Sequence, residues 1–292
     1  METIAGSKNS NLYMSKDMRA AEPIQVSTFT MLIAWLGTLL VSVGFTIHGW
    51  IFDHERVHSS LLSGGMLLIA FSLLSHFKYH RDRFGAPAIL MFILAFVAAS
   101  AVWVPYIVDP NLRGTSDWPT YSNLMWGVGW LLGSLSIFLV LQRKESQLEN
   151  KGRTSQTTIH ASFTQLTLSG VGTLIYSFAF LNGPYDGSQL HGIFTALGPL
   201  LIAIAIISHF QQLKLRLGSA AVILLTIGAA GWGIKNLLLR VVTDLHLEAH
   251  WVRYLTSGTQ GAIFFISSVV CILVILHKRN SKSISARVSK TS

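Results

Sequence analysis

The sequence predicts an all-α, polytopic membrane protein of about eight transmembrane helices, arranged as two parallel four-helix repeats. Composition, a succession of apolar stretches and an internal repeat support this prediction. Of the 292 residues, 51% are hydrophobic and 12% are charged, and the mean hydropathy is +0.50. Soluble domains carry about 25% charged residues. We therefore expect the lipid bilayer to surround most of the chain.

The apolar stretches are each about 20 residues long, which is the length that crosses a hydrocarbon core of about 30 Å. We place them at 28–49, 59–77, 86–108, 120–142, 163–181, 191–210, 217–238 and 255–277. The expected organisation is an N-terminal tail at 1–27, a first repeat at 28–142, a linker at 143–162, a second repeat at 163–277 and a basic tail at 278–292.

The basic residues follow the expected topology. If the N-terminus is cytoplasmic, 17 of the 22 Lys and Arg residues lie in segments on the cytoplasmic side. This is the positive-inside pattern, because cationic loops resist translocation. It predicts a cell-membrane protein with both termini in the cytoplasm. It also explains the net charge of +9 without a nucleic-acid partner.

The internal repeat is most evident in the second and sixth stretches. Residues 58–77 read HSSLLSGGMLLIAFSLLSHF and residues 191–210 read HGIFTALGPLLIAIAIISHF, identical at nine of twenty positions. The same offset of 133 pairs Arg83 with Arg216 and Gly85 with Gly218. Because each unit has an even number of helices, both copies enter the membrane from the same side, and the interface between them is the natural place for a shared site.

Histidines and glycines at equivalent positions of this repeat are the candidate cofactor-binding residues, with the glycines expected to let a backbone or a flat ligand approach closely. In each copy the two histidines are eighteen residues apart, which is five helical turns, so they share one stripe of the helix. Such a stripe could hold haem b between imidazoles near each membrane face, as in transmembrane electron transfer with a quinone or another membrane redox partner. The residues concerned are His58, His76, His191, His209, Gly65 and Gly198.

This arrangement resembles membrane b-type cytochromes and, more loosely, haem A synthase, whose two four-helix halves are also parallel repeats. The motif that carries the second resemblance is partial. Glu55, Arg56, Val57 and His58 match its ExxxHR-like context in part, and its fourth-helix histidine has no counterpart beside Tyr121. The resemblance implies histidine ligation of haem and assigns no family.

A zinc site is an alternative. His54, Glu55 and His58 form an HExxH motif, in which two histidines one turn apart bind zinc and the glutamate acts as general base. His246 and His250 offer a further pair on one helix face. This pattern predicts a zinc-dependent membrane hydrolase. Histidines at helix ends also anchor spans at the interface without any cofactor, so a cofactor-free protein is equally open.

Two further functions remain open, a small-solute or ion transporter and a structural or assembly subunit of a larger membrane complex. The spans carry few ionisable residues away from their ends, which disfavours a transporter. Lys235 and Asn236 are the clearest buried polar candidates, and we expect Lys235 to snorkel to the interface. Aromatic residues are expected to form an interfacial belt, namely Trp50, Trp103, Tyr106, Trp118, Tyr121, Trp251 and Tyr254.

Overall fold

A computed structural model describes residues 26–50, 55–111, 118–149, 159, 161–182, 189–244 and 254–291. Over these ranges the chain is almost entirely helical and contains no strand. Seven helices are long and apolar enough to cross a membrane, and an eighth span is present if two helices joined by a sharp bend are taken together. The prediction of an all-helical chain with seven or eight apolar helices of membrane-spanning length is confirmed for these residues.

The spans begin within a few residues of the expected stretches, and some of them end well beyond. The first half of the chain contains α1 (Thr28–Trp50), α2 (Glu55–Ser75), α3 (Phe77–Phe84), α4 (Ala86–Ala101), α5 (Val104–Val108) and α6 (Trp118–Glu149). The second half contains α7 (Phe163–Leu181), α8 (Gln189–Ile207), α9 (Phe210–Leu217), α10 (Ser219–Asp244), a π-helical turn (Tyr254–Gly258) and α11 (Thr259–Thr291). Both α6 and α11 continue as helix into the segments expected as linker and tail.

The spans form a closed ring. Each one packs against the spans before and after it in the chain, and α11 packs against α1. The order around the ring is α1, α2, α4, α6, α7, α8, α10 and α11. The two halves therefore meet at two seams, α6 against α7 and α11 against α1. In this order α2 and α8 lie four places apart, on opposite sides of the ring, and are not neighbours.

Glycine pairs allow two helix crossings to be unusually close. A Cβ atom on Gly65 of α2 would lie 2.7 Å from the carbonyl oxygen of Gly37 on α1. A Cβ atom on Gly198 of α8 would lie 2.6 Å from the carbonyl oxygen of Gly172 on α7. Small residues permit such approach between spans. The space beside Gly65 and Gly198, expected to admit a backbone or a flat ligand, is taken by a helix backbone.

Each seam carries a serine hydrogen bond at a corresponding position. The Ser42 hydroxyl of α1 donates to the Gly261 carbonyl of α11 at 2.8 Å. The Ser177 hydroxyl of α7 donates to the Gly127 carbonyl of α6 at 2.7 Å. Hydroxyls within membrane spans stabilise helix association in this way, because an unsatisfied polar group in hydrocarbon is costly.

At one end of the ring the chain turns through two similar elbows, α2–α3–α4 and α8–α9–α10. The bend between α8 and α9 is 77°. The backbone angles φ and ψ are −118° and 26° at His76, and −117° and 24° at His209. Gly85 and Gly218 end the short helices with φ of 95° and 86°, a left-handed conformation that glycine adopts without steric cost.

Carbonyl groups near the ends of α3 and α9 accept hydrogen bonds from the last span of the same half, α6 or α11. The Arg143 guanidinium of α6 donates to the Asp82 carbonyl at 2.9 Å. His277 Nε2 of α11 donates to the Leu215 carbonyl at 3.2 Å. These donors satisfy carbonyls that lack intrahelical partners. We call this end of the ring the elbow end.

The glycine crossings generate a stability prediction. Gly65→Ala and Gly198→Ala should each lower the free energy of unfolding by about 1–3 kcal/mol, because the added methyl group overlaps a neighbouring backbone. Gly64→Ala is the matched control, since a Cβ atom on Gly64 would have no neighbour within 4 Å. Thermal unfolding in detergent, followed by circular dichroism, measures the difference. Equal melting temperatures for the Gly64 and Gly65 variants would contradict a close crossing.

Candidate functional site

Aromatic side chains from non-neighbouring helices meet inside the ring. The Trp232 ring of α10 lies 5.7 Å from the Trp130 ring of α6 and 6.0 Å from the Tyr176 ring of α7, between centroids. Its Nε1 donates to the Tyr176 hydroxyl at 2.9 Å. Phe264 of α11 lies 5.9 Å from the same ring. Because α10 borders α8 and α11, its contacts with α6 and α7 place Trp232 at the centre.

From this centre, ring contacts continue in two directions. On one side Phe264 lies 5.6 Å from Phe45, which lies 5.8 Å from Trp103. On the other side Tyr176 lies 5.2 Å from Phe180. The ends of the row contact His58 and His191, at 6.1 and 5.5 Å. The rings between these two histidines are Trp103, Phe45, Phe264, Trp232, Tyr176 and Phe180.

His58 makes its closest ring contact within its own half of the chain. Its Nε2 lies 3.1 Å from Nδ1 of His48 on α1, and the ring centroids are 4.4 Å apart. The side chain is buried, with 2% of its surface exposed. His48 was not among the predicted ligands, because the repeat does not place a second histidine at the corresponding position. The pair shares a proton in a hydrogen bond.

His191 is also engaged locally. Its Nδ1 donates to the Ala179 carbonyl of α7 at 2.7 Å, since a carbonyl oxygen can only accept. This fixes the orientation of the ring beside Phe180. The structure therefore does not bring His58 and His191 together around a shared ligand. A haem b held between them stays a prediction for which these ring positions offer no common site.

The other two predicted ligands lie at the elbows. The His76 ring contacts the rings of Tyr79 and His80, with centroids 5.5 and 6.0 Å apart. His209 Nδ1 is 2.9 Å from the hydroxyl oxygen of the adjacent Ser208. Because the elbows belong to opposite arcs of the ring, His76 and His209 occupy separate environments.

The zinc alternative falls mostly outside the described residues. His54, His246 and His250 lie there, and the side chain of Glu55 does as well. In the part of the chain that the structure describes, no group of three His, Cys, Asp or Glu residues is arranged to hold a metal ion. The predicted zinc site stays a prediction.

Lys235 is buried by the helices around it. Only 5% of its surface is exposed, which corrects the expectation that it snorkels to the interface. It follows Trp232 by three residues on α10, whereas Ile234, Leu237 and Leu238 mark the exposed outer face of that helix. No hydrogen bond or ion pair joins Lys235 to any described residue.

The adjacent Asn236 has a structural partner. Its Nδ2 donates to the Thr195 carbonyl of α8 at 2.6 Å. Pro199 lies inside α8 and has no N–H group, so it cannot make the helical bond to the carbonyl four residues earlier, which is that of Thr195. Asn236 supplies the missing donor. This hydrogen bond explains the burial of Asn236. The burial of Lys235 has no corresponding structural explanation.

Three rings meet at this centre and are partly buried there. Trp130, Trp232 and Phe264 come from α6, α10 and α11, and Trp232 contacts the other two. We call these three residues the central aromatic cluster.

Two residues expected in the interfacial belt belong to the core instead. Trp103 and Tyr106 are 8% and 5% exposed and pack with Phe45 and Met66. Trp103 Nε1 has no hydrogen-bond partner within the described ranges. Aromatic composition near a helix end therefore did not distinguish a lipid-facing ring from one that lines the interior.

Comparisons with known proteins identify no relative, since no family model, curated protein or solved structure matches the chain. The function is therefore inferred from the geometry of the ring interior.

The role of Asn236 can be tested with a double-mutant cycle. Asn236→Ala should cost about 1–3 kcal/mol of stability, because it leaves the Thr195 carbonyl unsatisfied. In a Pro199→Ala background the alanine N–H can restore the helical bond, so the same substitution should cost less than half as much. Thermal unfolding of the four proteins measures the coupling. An identical loss in both backgrounds would show that Asn236 acts through some other contact.

A buried histidine at the first elbow predicts a pH dependence of stability. Burial, and then the nearby His76 and Arg83, lower the pKa of His80 from 6.5 to about 4. The folded protein therefore disfavours the proton that the unfolded chain accepts. Above about pH 6.5 this side chain is neutral in both states and does not reduce stability. As the pH falls toward 4, the unfolded chain binds the proton more readily than the folded protein, and the free energy of unfolding falls by at most about 3 kcal/mol.

The test compares wild type with His80→Gln between pH 7.5 and pH 4.5. The melting temperature of wild type should fall more steeply on acidification than that of the variant. Parallel curves would show that proton exclusion by His80 does not contribute to stability.

Proposed function

We propose that this protein is a multi-pass membrane transporter that binds a small organic anion at Lys235, inside the helix ring. The observation that supports the proposal is the burial of Lys235 without a hydrogen bond or ion pair to any described residue. An ionisable side chain within a membrane span is expensive to maintain and commonly marks a substrate or ion pathway. A bound anion would compensate its charge.

The setting of Lys235 favours an anion over other ligands. An ammonium group attracts a carboxylate far more strongly in a site shielded from water than at an exposed surface. Removal of a compensating charge from such a site is correspondingly unfavourable. Empty and loaded forms of the protein should therefore differ in stability, which is a property that a carrier can use.

We also propose that the two halves are parallel copies of one four-helix unit. The glycine crossings, the serine bonds at the seams and the two elbows occur at corresponding positions in both halves. In transporters built from parallel repeats, the halves are related by an axis along the membrane normal and the site lies between them. The central aromatic cluster fits this description, since Trp130 comes from the first half and Trp232 and Phe264 come from the second.

The proposed orientation places the elbow end and both termini in the cytoplasm of a cell-membrane protein. The elbows carry five basic residues, Lys78, Arg81, Arg83, Lys214 and Arg216. Their positions follow the positive-inside rule. An electron-transfer function through haem receives less support from the geometry, because six aromatic rings lie between His58 and His191.

Replacement of Lys235 should separate structure from function. Lys235→Met should raise the melting temperature of the ligand-free protein, because it replaces an uncompensated buried charge with an apolar chain, by an amount equivalent to about 1–3 kcal/mol. Lys214→Met on the exposed surface of α9 is the matched control and should change stability by less than about 0.5 kcal/mol. A lower melting temperature for Lys235→Met would indicate a structural ion pair and contradict the proposal.

The same variants test anion binding and transport. Sodium acetate, benzoate and phosphate are compared at equal ionic strength, first by thermal stabilisation and then by uptake of the labelled anion into proteoliposomes. We expect at least one of these anions to stabilise and enter with wild type and with Lys214→Met, and not with Lys235→Met. An anion effect that is equal in all three proteins would contradict a site at Lys235.

A further inference from the structure

The first elbow carries an exposed charged face where the exposed apolar surface of the spans ends. On α2 the exposed large apolar side chains continue to Leu74, which is 53% exposed, and on α4 they resume at Leu90, which is 47% exposed. Between them, Lys78, Arg81 and Asp82 of α3 are exposed. Because the exposed apolar side chains of a span face hydrocarbon, this change to exposed charge places α3 at the level of the lipid headgroups.

The elbow geometry turns α3 across the ends of the spans. The bend at the second elbow is 77°, and the hinge residues His76 and His209 have nearly the same backbone angles, so the first elbow turns in the same way. Helix α3 packs chiefly against the spans that it joins, and its Phe84 packs against Ala88 and Val140. A helix that lies in the membrane interface has one apolar side and one charged side. We call the exposed residues Lys78, Arg81 and Asp82 the charged face of α3.

The charged groups of α3 differ in what they contact. Arg83 donates to the Tyr79 hydroxyl at 3.1 Å. Arg81 forms an ion pair with the Asp82 carboxylate at 3.0 Å, and both side chains are about half exposed, so this pair is weak. Lys78 makes no hydrogen bond or ion pair with any described residue. Lys78 is therefore the available cation, and Asp82, four residues later, lies on the same side of the helix.

The second elbow shows that lipid can lie against this side of the short helix. The residue at the position of Asp82 is Leu215, at the offset of 133, and it is 46% exposed. An exposed leucine beside basic residues suits the boundary between headgroups and acyl chains. The first elbow has a carboxylate at this position, which reduces the attraction of its two neighbouring cations for an anion.

We propose that the charged face of α3 binds the headgroups of anionic phospholipids. The ammonium of Lys78 and the guanidinium of Arg81 donate charge-assisted hydrogen bonds to phosphate oxygens, and Asp82 limits the strength of this attraction. The cytoplasmic leaflet is negatively charged and attracts basic residues that lie next to a span. The proposed cytoplasmic position of the elbow end agrees with this partner. The proposal does not depend on the anion site at Lys235.

Local photo-crosslinking measures which lipids lie beside α3. A benzophenone amino acid replaces Leu74, and the full-length protein is reconstituted in liposomes of equal parts phosphatidylglycerol and phosphatidylcholine with the same acyl chains. Mass spectrometry of the crosslinked products gives the ratio of the two lipids at the elbow. The ratio should favour phosphatidylglycerol, by up to about fivefold for each available cation.

Two substitutions four residues apart should change this ratio in opposite directions. Lys78→Gln removes the available cation and should lower the ratio by up to about fivefold. Asp82→Asn should raise the ratio, because it removes a negative charge and releases Arg81. Lys78→Arg should keep the wild-type ratio. Arg56→Gln is the matched control, because it removes one exposed cation at the opposite end of α2 and should leave the ratio unchanged.

Three outcomes would overturn the proposal. An equal ratio in wild type, Lys78→Gln and Asp82→Asn would show that α3 contacts lipid without selection by charge. A loss in Arg56→Gln as large as that in Lys78→Gln would show an effect of net charge rather than of this face. Glycerol 1-phosphate, the soluble form of the headgroup, should not alter the ratio at the concentration of the lipid. Displacement of phosphatidylglycerol by it would indicate a site for soluble phosphate instead.

Discussion

Close approach of glycine backbones at two helix crossings is the constraint on which the ring depends. Lipid tails are as apolar as the side chains they surround, so spans associate through packing and hydrogen bonds rather than through hydrophobic burial. Gly37 with Gly65, and Gly172 with Gly198, bring α1 onto α2 and α7 onto α8 at backbone contact. The neighbouring helices then close the ring, and Trp232 can reach side chains on the opposite arc.

Two consecutive polar residues on α10 differ in how the surrounding helices accommodate them. Asn236 and Lys235 are both buried and both unfavourable in hydrocarbon, and nothing in the sequence separates them. Pro199 on the adjacent helix makes the difference, because it leaves the Thr195 carbonyl that Asn236 satisfies. Lys235 has no such partner among the described residues. The burial of Lys235 without a structural partner is therefore what marks it as a candidate site residue.

The sequence predicted the apolar helices well, because length and hydropathy are local properties. It could not predict the order of the ring. Helical period aligned His58 with His76 on one stripe, but it cannot say which neighbour that stripe meets. A further pair of similar segments is not found at the offset of 133. Residues 37–45 and 172–180 are identical at five of nine positions, but at an offset of 135. That match aligns Phe45 with Phe180, and both rings lie between His58 and His191 in the series of ring contacts.

The two halves share their crossings, seams and elbows, yet Val102 stands where the other half has Lys235. Val102 is fully buried in an apolar cluster. If an apolar residue in one half is enough to pack that layer of the ring, the other half can carry a charged residue there without loss of the fold. Descent from a symmetric ancestor would thus leave an asymmetric interior, with chemical specialisation confined to a single copy.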